Sequence, residues 1–104
     1  MELRNKILDI AMNLSRMGNW AADDFVNKKK RILLFLDQTT GYVDSLDVDA
    51  IPKPFRRSLE KFLEIYPALA KSGKEGPTDT LSWAEAMMTW GNILTHRSRL
   101  IPLP

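Results

Sequence analysis

The sequence predicts an all-α protein, a four-helix bundle in up-down-up-down order with a long second helix and a proline-kinked third. Four segments carry apolar residues at alternating steps of three and four, which places those side chains on one face of a helix. Glycine- or proline-containing stretches separate these segments, and helices with one apolar face bury it against each other. A chain of 104 residues suits one domain, so we assign residues 1–104 to a single bundle.

The first helix is predicted from Glu2 to about Met17. Its apolar stripe consists of Leu3, Ile7, Ile10, Leu14 and Met17. Gly18 follows at the position where a left-handed C-terminal cap is common, and Asn19 can then cap the second helix.

The second helix is predicted from Trp20 to about Leu46, which is roughly 40 Å long against roughly 24 Å for the first helix. Thr39, Thr40 and Gly41 are poor helix formers, but we expect a continuous or mildly bent helix. Its far end would then overhang the first helix. The apolar residues of that end must be covered by the third helix, the C-terminal tail or a second subunit. They are Tyr42, Val43 and Leu46.

The third helix is predicted from Pro54 to Tyr66, because Pro67 kinks or ends a helix by removing a backbone donor. One further turn can follow, closed by Gly73. The fourth helix is predicted from the region of Asp79 to Ser82 as far as Arg99. Ser82 and Glu85 have the spacing of a capping box, and Thr78 or Asp79 are alternative caps.

Composition argues against several function classes. The 15 basic and 13 acidic residues give a net charge of +2, too even to indicate a nucleic-acid partner by itself. Cysteine is absent, which excludes disulfides, thiolate catalysis and cysteine zinc sites. His96 is the only histidine, and no neighbouring residue in the sequence would make it a general base. We therefore expect a protein that is not an enzyme and has no cofactor and no metal.

No export signal or membrane-spanning stretch is apparent in the sequence. The longest aliphatic or aromatic run, Ile32 to Leu36, is far too short to cross a bilayer. We expect a cytoplasmic protein without a membrane partner.

The most suggestive apolar group lies on the fourth helix, where the apolar arc is wider than one stripe. Tryptophan and methionine are enriched in interface cores, so this group predicts a protein interface through which the chain binds itself or another protein. A homodimer is the simplest form of that prediction. The alternative is a central helix covered on two sides by its own chain. The proposed interface residues are Tyr42, Trp83, Met87, Met88 and Trp90.

Two other functions compete with a protein interface. The first is nucleic-acid binding through a basic patch, if residues from two helices converge on phosphates. Its residues would be Lys28, Lys30, Arg31, Arg56 and Arg57. The second is carriage of an apolar ligand between the helices, since apolar pockets leave no sequence motif.

Overall fold

The computed structural model describes residues 2–102 and is all-α. It contains α1 (Leu3–Asp44), α2 (Lys53–Glu75), α3 (Thr80–Arg97) and two 3-10 turns at Val48–Ala50 and Ser98–Leu100. No strand occurs in these residues. The predicted fold class is therefore confirmed, whereas the predicted count of four helices is not matched by the three α-helices observed.

The long helix α1 folds back on itself at Asp24. Its 42 residues would extend about 63 Å if straight, yet the longest dimension of the molecule is 40 Å. Asp24 has φ −162° and ψ 86°, outside the helical region. Across this break the Trp20 and Phe35 ring centroids lie 4.9 Å apart, and Asn13 Nδ2 donates to Thr39 Oγ1 at 3.2 Å. These pairs show two antiparallel arms, the first arm (3–23) and the second arm (25–44).

The predicted boundary at Gly18 is wrong, because the first arm continues through it to the break at Asp24. A Cβ added at Gly18 would lie 2.5 Å from Met88 Cγ and 2.8 Å from the carbonyl oxygen of Ala84. This glycine therefore permits close packing of α3 and does not end a helix. The N-cap of the second arm is Asp24, whose carboxylate accepts a hydrogen bond from the backbone N–H of Asn27 at 3.2 Å. The prediction that the helix continues through Gly41 is confirmed.

Helix α2 extends further than predicted and includes Pro67. Pro67 lies on the exposed side of the helix, where the missing backbone donor is tolerated because water can reach the freed carbonyl group. Gly73 is not the cap that we expected: it is buried, and an added Cβ would lie 2.6 Å from Trp83 Cζ2. The helix ends instead at Gly76, whose φ of +91° favours glycine.

Helix α3 begins after Asp79, one of the two alternative caps that we predicted. Asp79 is the N-cap and accepts from the backbone N–H of Ser82 at 3.0 Å. The capping box headed by Ser82 is therefore wrong. At the other end the helix stops at Arg97, and a 3-10 turn covers the last two residues of the predicted range.

The helical segments pack in a closed ring. Thr40 Oγ1 lies 2.9 Å from Tyr66 Oη, which joins the second arm to α2. The rings of Phe62 and Trp90 lie 5.7 Å apart and join α2 to α3, and α3 packs most extensively on α1. The ring encloses one core. Its fully buried larger side chains are Ile7, Ile10, Leu14, Met17, Ile32, Leu36, Ile51, Phe55, Leu59, Phe62, Met87 and Leu94.

Candidate interaction surfaces

Two of the five proposed interface residues belong to the core of this chain. Met87 has no exposed surface, and Trp83 is only 4% exposed. The indole Nε1 of Trp83 donates to the carbonyl oxygen of Leu69 at 2.9 Å, and its ring meets Phe25 edge-on at 5.9 Å. These two side chains are therefore buried within the monomer. This agrees with the alternative interpretation, in which the fourth predicted helix is a central helix covered by its own chain.

The other three proposed interface residues are half-buried and do not form one surface. Met88 packs on the first arm at Gly18, whereas Trp90 leans on Phe62 of α2. Tyr42 lies near the end of the second arm, packed against the edge of the core. The structure therefore does not bring Tyr42 together with the tryptophan–methionine side of α3.

The basic residues proposed for nucleic-acid binding lie at two opposite ends of the molecule. Lys28 is close to the break at Asp24 and forms an ion pair with Asp23, and the Arg31 guanidinium lies 5.1 Å from the Trp20 ring. Arg56 is at the start of α2, where its Nη2 donates to the carbonyl oxygen of Ile51 at 2.9 Å. Lys30 and Arg57 are exposed near the first and second of these ends, respectively. The two groups do not converge on one patch.

An open groove lies between the second arm and α2, with a volume of about 690 Å³. We call it the α1–α2 groove. It is bounded at the bottom by the 3-10 turn at Val48. Half-buried apolar side chains form its floor together with Tyr66 and Ala70. These half-buried residues are Val43, Leu46, Val48 and Leu63.

Charged residues border the α1–α2 groove, and the two walls differ in sign. Asp44 lies on the wall from α1, whereas Lys71, Lys74 and Glu75 lie on the wall from α2. At the upper end Lys74 Nζ lies 3.6 Å from an oxygen of Asp37, and both side chains are at least half exposed. Such an exposed pair contributes little to stability. The groove is thus an apolar strip between an acidic and a mainly basic edge.

Tyr66 forms part of the groove floor and joins the two walls. Its hydroxyl lies 2.9 Å from Thr40 Oγ1 and donates to the carbonyl oxygen of Leu36 at 3.4 Å. Burial raises the pKa of the Tyr66 hydroxyl above its ordinary value of 10.0, and the nearby carboxylates of Asp44 and Asp37 act in the same direction. Tyr66 therefore stays protonated and keeps these hydrogen bonds at neutral pH.

Sequence reasoning identified part of this groove. The predicted long second helix with an overhanging end is wrong, because the break at Asp24 gives two arms of nearly equal length, 3–23 and 25–44. Val43 and Leu46, which we expected to need cover, nevertheless line the floor of the groove. The basic wall was missed, because Lys71 and Lys74 lie beyond Pro67, where we expected the helix to end. Their spacing of three residues on a continuing helix was the available signal.

Other candidate chemistry finds no support in the described residues. His96 is exposed at the end of α3. Within residues 2–102 no group of three or more histidine or carboxylate side chains is arranged to hold a metal ion. None of the helices in this range combines the length and the hydropathy that crossing a bilayer requires.

Comparisons of the chain with models of protein families, with curated proteins and with solved structures find no match.

Proposed function

We propose that this chain is a non-enzymatic interaction module that pairs with a second copy of itself through the α1–α2 groove. The observation that carries this proposal is the apolar strip bounded by walls of opposite charge. The strip follows α2 from Leu63 to Glu75, about 18 Å along the axis. That length is about three turns of a helix, so each wall offers about three turns to a facing wall of a second copy.

The charges favour a second copy as the occupant. If two copies pack groove to groove about a two-fold axis parallel to the strip, the α2 wall of each lies against the α1 wall of the other. Lysine side chains then face aspartate side chains on both edges, and the same patch serves both subunits. If the two-fold axis were instead perpendicular to the strip, the α2 walls of the two copies would face each other and like charges would meet. We infer a parallel dimer, in which two copies of a four-segment, up-down-up-down bundle share the groove.

A matched pair of substitutions tests this proposal. Val48 lines the groove but is not part of the core, so Val48→Glu should leave the monomer folded and weaken pairing at least tenfold. Val26 is 81% exposed beside the break at Asp24, so Val26→Glu is the control. The dissociation constant is measured by analytical ultracentrifugation, and the fold by circular dichroism. Equal pairing by the two variants would contradict the proposed surface.

Charge exchange tests the parallel arrangement separately. Lys71→Glu and Asp37→Lys, which lie near the same height along the groove, each place like charges on both edges and should weaken pairing, whereas the double variant should restore it. Added salt should reduce the difference between the single and double variants. If the double variant is weaker than both single variants, the two copies do not pack with opposite walls together.

The competing functions have less support. Nucleic-acid binding needs the five basic residues on one face, and they lie at the two ends of the molecule. An apolar ligand would bind in the same α1–α2 groove, but the charged side chains along both walls favour a partner surface with complementary charges over an uncharged ligand. A monomeric protein that takes up an apolar dye in this groove would favour that carrier function.

A further inference from the structure

A second cavity lies on the opposite side of α2, between its first half and the last two turns of α3. We call it the α2–α3 cleft. Its volume is about 490 Å³, within the range of roughly 300–1,000 Å³ that is usual for small-molecule sites. It shares no residue with the α1–α2 groove. The cleft is lined by Ser58, Lys61, Trp90, Asn92, Ile93, His96 and Arg97.

One end of the cleft offers an aromatic surface. Trp90 is half-buried, and its ring rests on Phe62 at a centroid distance of 5.7 Å and an angle of 52°. The contact with the core restrains the indole, and Trp90 lines the cleft. A held indole is a stacking surface for a flat ring, and each such stack stabilises binding by about 1–3 kcal/mol.

The cleft is positively charged. Lys61 and Arg97 line it and no carboxylate does, and neither of these side chains forms an ion pair within residues 2–102. The partial negative charge at the C-terminal end of α3 is reduced by Ser98. Its backbone N–H donates to the carbonyl oxygen of Leu94, and its hydroxyl donates to the carbonyl oxygen of Thr95. Two unpaired cations in an open cleft favour an anionic group.

The aromatic surface and the cation at the far end have a fixed separation. Trp90 and Arg97 are seven residues apart on one helix, which is about 10 Å along the axis. Ser58 and Asn92 add neutral hydrogen-bonding groups between them. A ligand that uses both ends must be elongated, with a flat ring at one end and an anion at the other.

We propose that the α2–α3 cleft binds an organic phosphate of this shape, of the nucleoside monophosphate class. The base stacks on Trp90, and the phosphate accepts hydrogen bonds from Arg97 and His96. Lys61, which precedes Phe62 and so lies towards the Trp90 end, adds to the positive charge of the cleft. Arginine suits the phosphate because its planar guanidinium can donate two parallel hydrogen bonds.

The test is a titration with adenosine monophosphate followed by NMR of the three indole N–H signals. The Trp90 signal should shift and saturate, whereas the Trp83 signal should stay in place because its N–H is bonded to Leu69 inside the core. Adenosine and inorganic phosphate are titrated separately, and each should bind at least tenfold more weakly, since each uses one end of the cleft. Equal affinity for adenosine or for inorganic phosphate, or no saturable shift up to millimolar ligand, would overturn the proposal.

Exposed cleft residues provide the variants. Arg97→Gln and Lys61→Gln remove one charge each from exposed side chains, so the fold should persist, and each should weaken binding about fivefold or more. Lys30→Gln is the control, because Lys30 is exposed on the second arm near the break at Asp24, at the other end of the molecule from the cleft. Binding that falls equally in all three variants would show a general charge effect, and the proposal of a defined site would then be wrong.

Discussion

The two arms of α1 make very different contacts with the rest of the molecule. The first arm meets α3 with backbones close together, since Cβ atoms added at Gly18 and Gly91 would both collide with main-chain atoms of the facing helix. The second arm meets α2 through the hydroxyl of Tyr66, and the α1–α2 groove with its apolar floor lies between them. Small residues therefore allow the close contact, whereas the other contact leaves the groove that we propose is covered by a second copy.

The largest expected effect comes from breaking the close contact. In Gly91→Ala the new Cβ would lie 2.9 Å from the carbonyl oxygen of Ala11 and even closer to the Ser15 hydroxyl. Because main-chain atoms must then move, we expect unfolding free energy to fall by about 2 kcal/mol. Urea unfolding measures this change.

Gly41→Ala is the control for that substitution. Gly41 also lies within α1, but a Cβ added there meets no described atom within 4 Å. Alanine favours helix over glycine, so this variant should be more stable by up to about 1 kcal/mol. If both glycine variants lose the same stability, the close approach of the first arm and α3 does not depend on a missing side chain.

This contrast also separates what the sequence predicts from what it leaves open. The stripes of Ile7, Ile10 and Leu14 and of Phe55, Leu59 and Phe62 are buried as predicted, because periodicity is a local property of the chain. Gly18 was misinterpreted because a helical glycine suits both a cap and a close contact, and the residue that decides, Met88, is 70 positions away.

The break at Asp24 was missed for a related reason. Neither glycine nor proline occurs there, and the fold-back depends on contacts between the arms, such as Trp20 with Phe35. The available local signal was Asp24 followed three residues later by Asn27, which has capping spacing. The cleft and the α2 wall of the groove were beyond sequence reasoning, because each depends on which helices pair, and that pairing is not a local property of the chain.

The open contact should respond moderately to loss of its polar bridge. Tyr66→Phe removes the hydroxyl that joins Thr40 to α2, and we expect a loss of about 1 kcal/mol at neutral pH. Because the pKa of folded Tyr66 is raised above 10.0, its contribution is complete below that pH and is lost as the pH rises through the folded-state value. Unfolding curves from pH 9 to 12 should therefore decline more steeply for the natural protein than for Tyr66→Phe, and parallel curves would contradict this role.

The smallest expected effects concern the caps, one on each side of the comparison. Asp24 caps the second arm, and the backbone N–H of Asn27 is the main cause that lowers the pKa of its carboxyl below 3.8. Asp79 caps α3, and the backbone N–H of Ser82 lowers the pKa of its carboxyl in the same way. Their stabilisation is therefore complete above that pH and is lost as the pH falls through the lower folded-state values.

Asparagine substitutions isolate this effect, because asparagine also caps helices but does not titrate. The Asp24→Asn, Asp79→Asn double variant should lose less stability than the natural protein between pH 4 and pH 2, as followed by thermal unfolding. The same acid dependence in both proteins would show that these two carboxylates do not contribute to it.

The central claim is that the open contact between the second arm and α2 is covered by a second copy. The most direct measurement is the mass of the natural chain in solution, by light scattering behind a sizing column over a range of micromolar concentrations. We predict a mass that rises with concentration towards twice 11.9 kDa. A mass that stays at 11.9 kDa throughout would show that the groove is not a self-docking surface.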